Sequence, residues 1–93
     1  MNIKKLNIAR KKIDKLDNKL FQLIKQRTNI VRQMLRLKKN KKEIIDHRRM
    51  DIIFKNIKKK SLKNKIDPRL THKIWKAIIW GYVEFQKRNF KKR

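Results

Sequence analysis

Ninety-three residues, no cysteine, two histidines and a formal net charge of +24 allow one small domain spanning residues 1–93. They exclude disulfides and thiolate metal sites, leave too few imidazoles for a histidine metal cluster, and point to anionic partners. The basic N-terminus MNIKKLNIARKK has no apolar stretch behind it, and the longest apolar run, AIIWGYV at 77–83, is far too short to span a bilayer, so a cytoplasmic protein without membrane contact is expected.

The first predicted element carries Leu6, Ile13, Leu16, Leu20, Leu23, Ile24, Val31, Met34 and Leu35. Their spacings of three, four and seven predict a helix over residues 6–38, roughly 50 Å long at about 1.5 Å per residue. The rest of so short a chain cannot cover such a helix, which implies a partner helix from a second subunit. The lysine-rich KKNKK at 38–42 reads as a loop.

A second helix is predicted from Asp46, as N-cap, to Lys63. With Ile45 as zero and about 100° per residue, Ile52 and Ile53 fall near −20° and +80°. Arg49 falls near +40°, between them, whereas Arg48 falls on the polar side with Asp51, Lys55 and Lys59. The stretch NKIDPRLTHKIW then resets the chain, with Asp67 as N-cap and Pro68 at the first helical position. The third helix runs from Pro68 to about Asn89. No strand-like alternation and no internal repeat is present, so the predicted fold is all-α, with one long helix and two shorter ones.

Five polar residues interrupt the apolar stripes. Arg10 lies between Leu6 and Ile13, Arg27 between Ile24 and Val31, and Lys38 follows Met34 by four. Arg49 is the interloper on the second helix, and Gln86 falls in the line Ile79, Val83, Gln86, Phe90 on the third. Arg27 and Lys38 are about 20° apart in phase and roughly 16 Å apart, within joint reach of one ligand. Arg10 is about 100° out of phase with Arg27 and roughly 25 Å away, so it does not readily reach that ligand within its own helix but could do so from a second, antiparallel copy. Buried charges need compensation. Each of these side chains has a plain alternative, snorkelling to the surface or pairing with Asp14, Asp17 or Glu84. Together, the five suit an anionic ligand.

The sequence ARKKIDKLDNKLFQLIKQR (9–27), followed by Lys38, DHRR (46–49) and IIWGYVEFQ (78–86), resembles the all-helical chorismate mutase family. The resemblance implies an intertwined homodimer of three-helix chains that converts the dianion chorismate to prephenate in aromatic amino acid biosynthesis, with no metal or cofactor. It implies that Arg10 is donated across the dimer and that Arg27 and Arg49 hold substrate carboxylates. Lys38 and Gln86 would hydrogen-bond the ether oxygen. Asp46 would cap and orient the second helix, while Met34, Ile53, Ile79 and Val83 would line the pocket.

Two positions depart from the family pattern. Met50 stands where the family commonly has a glutamate on the substrate's C4 hydroxyl, and Tyr82 where it often has a small hydroxyl residue. Both resemble a sister activity, isochorismate-pyruvate lyase, which forms salicylate. Met50, near +140° between Ile57 and Phe54, is alternatively a packing residue at the edge of the core. A third reading, from the charge alone, is a basic helical nucleic-acid-binding protein. The lysines spread along the whole chain and accompany abundant isoleucine and asparagine, a composition that A/T-rich codons also produce, so nucleic-acid binding is expected to be at most non-specific.

Overall fold

The computed structural model describes residues 2–91 and is all-α among them. Helix α1 spans Ile3–Leu37, α2 spans His47–Lys63 and α3 spans Pro68–Asn89. A short 3-10 turn, Lys41–Glu43, begins inside the stretch 38–42 read from sequence as a plain loop and runs one residue past it. It forms because Asn40 and Glu43 make a reciprocal capping box. The Asn40 side chain accepts from the Lys42 backbone, and the Glu43 carboxylate accepts from the Lys39 and Asn40 amides.

Three helix boundaries have a local cause. Asp46 caps α2 through the Arg49 amide at 3.0 Å, and Asp67 caps α3 through the Arg69 amide at 2.9 Å, with Pro68 as the first helical residue. α2 ends in a Schellman motif: the Ile66 amide donates to the Ser61 carbonyl at 2.9 Å and the Lys65 amide to the Leu62 carbonyl at 3.4 Å. The motif needs a left-handed residue, and Lys65, at φ 56°, occupies the place glycine usually takes.

The chain divides into two compact units, residues 1–33 and 34–93. The first consists almost entirely of α1. Its apolar residues Ile13, Leu16, Leu20 and Leu23 are each more than half exposed. The second unit holds a closed core in which Leu35, from the last turns of α1, packs with Ile44, Met50, Ile79 and Val83. Ile45, Ile53, Phe54 and Phe90 pack around these five.

A polar pair ties α2 to α3 away from that core. Ser61 is buried, its hydroxyl lies 2.7 Å from the Thr71 hydroxyl, and it also donates to the Ile57 carbonyl at 2.7 Å. Both hydroxyls are therefore satisfied inside the helix pair.

Candidate active site

Three segments of the second unit meet at Lys38: the end of α1, the turn before α2, and the C-terminal half of α3. The Lys38 Nζ donates to Gln86 Oε1 at 2.7 Å. Gln86 is only 7% exposed, on the buried line of Ile79 and Val83 that its spacing predicts. A neighbouring ammonium fixes which way the amide faces, because only the oxygen can accept. Gln86 Nε2 is thereby turned toward the backbone and donates to the Tyr82 carbonyl at 3.2 Å. An amide nitrogen has two hydrogens and an ammonium three, so each group retains donor capacity beyond these bonds.

Burial pushes the Lys38 pKa below its ordinary value of 10.5, and the carboxylates of Asp46 and Glu43 partly offset this. Asp46 thus has two roles: it caps α2 and supports the positive charge on Lys38. Glu43 shares the second, and the signal for it was the Asn-x-x-Glu pattern at 40–43, which places a carboxylate beside the end of α1.

The remaining predicted residues are distributed unevenly. Ile53 and Tyr82 are half-buried, Ile79 and Val83 are buried, and Met34 is exposed. The Tyr82 ring meets Phe85 edge-on at 6.0 Å. Met50 is 8% exposed and belongs to the core cluster itself rather than to its edge. In the first unit, Arg10 is exposed and donates to Asn7 Oδ1 at 3.3 Å, whereas Arg27 is half-buried.

Arg49 corrects the sequence reading. It was expected on the apolar face of α2, but it is exposed, and the buried side runs through Met50, Ile53, Phe54, Ile57 and Ser61. The reason is the reference point. Ile45 packs on the core from the linker before α2, so its direction says nothing about helical phase. Arg49 flanks the buried side from the first turn, next to the capping Asp46.

The geometry thus defines a helical protein with a partly desolvated cation–amide donor pair, Lys38 just past the end of α1 and Gln86 on α3, and further arginines along α1. In comparisons with protein families, residues 9–87 match the family model described as chorismate mutase type II. The chain is also similar to a chorismate mutase of Methanocaldococcus jannaschii, with 31% identity over 86 residues that cover 91% of this chain and 87% of the relative. No solved structure matches. The chain belongs to the type II chorismate mutase family. Among the described residues no helix is long and apolar enough to cross a membrane, and no group of three or more acidic, histidine or cysteine side chains is placed to hold a metal ion.

Proposed function

We infer that this chain is a chorismate mutase, working as a single helical domain that assembles as a homodimer. The observation that carries the reading is the Lys38–Gln86 pair. The reaction is an intramolecular rearrangement in which the ether C–O bond of chorismate breaks as a C–C bond forms, giving prephenate. No covalent intermediate and no proton transfer are required. The enzyme must hold a dianion in its compact reactive conformer and stabilise the negative charge that develops on the ether oxygen.

In this proposal, Lys38 Nζ and Gln86 Nε2 donate their remaining hydrogens to that oxygen. The donors are set before the substrate arrives, because Lys38 holds the amide and the Tyr82 carbonyl steadies it. Such preorganisation removes the reorganisation cost at the moment of reaction. Arg27 and Arg49 take the two carboxylates, a task suited to the planar guanidinium fork. Arg10 completes the site from the partner chain. Met34, Ile53, Ile79 and Val83 supply the apolar wall.

The dimer reading is supported by the exposed stripe of α1. Burying one leucine side chain contributes roughly 1.5–3 kcal/mol, so leaving Ile13, Leu16, Leu20 and Leu23 in water forfeits several kcal/mol that a second copy recovers. The two helices would lie antiparallel, which brings Arg10 of one chain toward Arg27 of the other.

Isochorismate-pyruvate lyase is the second reading, and Tyr82 carries it. Met50 no longer adds weight, because packing with Leu35, Ile44, Ile79 and Val83 accounts for its apolar character. The experiment that decides is separate incubation of the purified protein with chorismate and with isochorismate. Prephenate formation much faster than salicylate formation is the expected result; the reverse order overturns the mutase reading.

A further inference from the structure

Lys38 follows Leu37, the last residue of α1, and its amide donates to the Leu35 carbonyl at 3.1 Å. Past this point the helix no longer sets the backbone, yet the Lys38 side chain must meet Gln86, 48 residues further along the chain. A lysine ammonium rides on a flexible four-carbon stem, so it is only as well placed as the backbone beneath it.

Glu43 fixes that backbone. Its Oε2 accepts from the amides of Lys39 and Asn40, the two residues that follow Lys38. The Asn40 side chain accepts from the Lys42 amide in return, and the Glu43 amide donates to the Asn40 carbonyl at 3.2 Å. The turn is anchored in the core on both sides, by Leu35 before it and by Ile44, 4% exposed, directly after Glu43. The carboxylate thus closes a short loop with buried ends, and Lys38 stands at its start.

Composition gives the clamp work to do. Residues 36–49 hold seven lysines and arginines in fourteen positions, half of the segment, whereas 31 of 93 residues are basic in the whole chain. Their mutual repulsion favours an open linker. The two acids of the segment oppose this by bonding backbone amides, Glu43 as described and Asp46 at the Arg49 amide.

We propose that Glu43 is a positioning residue for the rearrangement: by clamping the backbone just after Lys38, it holds the ammonium on Gln86, ready for the ether oxygen. The proposal rests on the mutase reading above and adds to it a residue that touches neither the substrate nor the reacting atoms. Burial lowers the Lys38 pKa, and against it act Asp46, at the head of α2, and Glu43, in the turn. From α3, Lys38 meets the neutral amide of Gln86. Glutamine at position 43 keeps an oxygen for the two amides and loses the charge, so it separates the clamp from the electrostatic support.

The test compares Glu43→Gln, Glu43→Ala and Asp67→Ala, the last of which removes a side-chain cap of the same kind at the start of α3. Each variant is assayed with chorismate, and the Lys38 ammonium is titrated by NMR in the substrate-free protein. Glu43→Ala is expected to lower kcat by about 10–10²-fold, as displacing a positioned group by about 1 Å does. Glu43→Gln should hold kcat within about threefold of wild type near neutral pH, because its amide oxygen rebuilds the clamp. Its Lys38 titration and the alkaline limb of its kcat/KM should both move to lower pH, since a carboxylate that favours the ammonium is gone. Asp67→Ala should lose stability and keep its kcat. A kcat for Glu43→Ala within about twofold of wild type overturns the proposal. So does Glu43→Gln as slow as Glu43→Ala, an unmoved Lys38 titration, or an equal loss of kcat in Asp67→Ala. An inactive wild type overturns the mutase reading and this proposal together, whereas an active wild type with unaffected variants overturns this proposal alone.

Discussion

Helix α1 and the α2–α3 pair follow the same spacing rule to opposite outcomes. In the second unit, apolar residues three and four apart meet each other, and Ile44, Ile79 and Val83 are buried. In the first, Ile13, Leu16, Leu20 and Leu23 repeat just as regularly and stay exposed. An amphipathic pattern states that a face is to be covered and not by what. Where the chain turns back on itself, its own helices do the covering. Helix α1, 35 residues long, keeps such a stripe uncovered within one chain, and the proposed dimer is what would cover it.

The proposed functional groups divide along the same line. Lys38 and Gln86 sit in the unit that closes on itself, where their mutual bond is already made. Removing either should have the largest effect of any single change. Lys38→Ala and Gln86→Ala are each expected to lower kcat by about 10²–10³-fold, the range for losing one donor to a developing oxyanion. Steady-state kinetics with chorismate measures this, and a loss under tenfold would place the chemistry elsewhere.

Next in size is a pair of substitutions that separates folding from assembly. Ile79→Ala is expected to cost about 2–5 kcal/mol of stability, as for a truncated core residue, with assembly unchanged. Leu20→Asp should leave α2 and α3 folded yet shift the protein to monomers in light scattering, with activity lost alongside. If Leu20→Asp stays dimeric, the stripe is not the contact surface.

A titration sharpens the account of Lys38. In the proposed mechanism it acts as an ammonium, and burial lowers its pKa from 10.5, so kcat/KM should fall with rising pH at a value below that figure. Lys38→Arg, if it retains activity, should move this alkaline limb upward, because arginine stays charged. A pH profile flat up to 10.5 would show that Lys38 does not need its charge.

The smallest expected effect lies in the turn between α2 and α3. Lys65→Gly relieves a left-handed residue of its side-chain clash and should stabilise the fold by about 0.5–1 kcal/mol, after the entropic cost of glycine in the unfolded chain. Chemical denaturation reads this directly, and activity should not move.

Much of this architecture was legible in the sequence. The Asp67–Pro68 start of α3 and the burial of Gln86 followed from capping chemistry and spacing. The 3-10 turn at 41–43 was hidden in a lysine run, although Asn40 and Glu43 carried its signal. Arg49 falls on the apolar face only if Ile45, an apolar residue outside the helix, sets the helical phase. Met50 looked diagnostic by family pattern and proved to be a core residue. Ser61 and Thr71 gave no sign of their pairing, because ten residues separate them and a change of direction brings them together.

The shared-site claim has a direct measurement. Arg10→Ala and Arg27→Ala chains, each inactive alone, are mixed, unfolded and refolded together, and assayed with chorismate. In a twofold-symmetric dimer that donates Arg10 across the interface, each heterodimer contains one fully intact site, and random pairing restores about a quarter of wild-type activity. No recovery, with heterodimers shown to form, would contradict a site built from two chains.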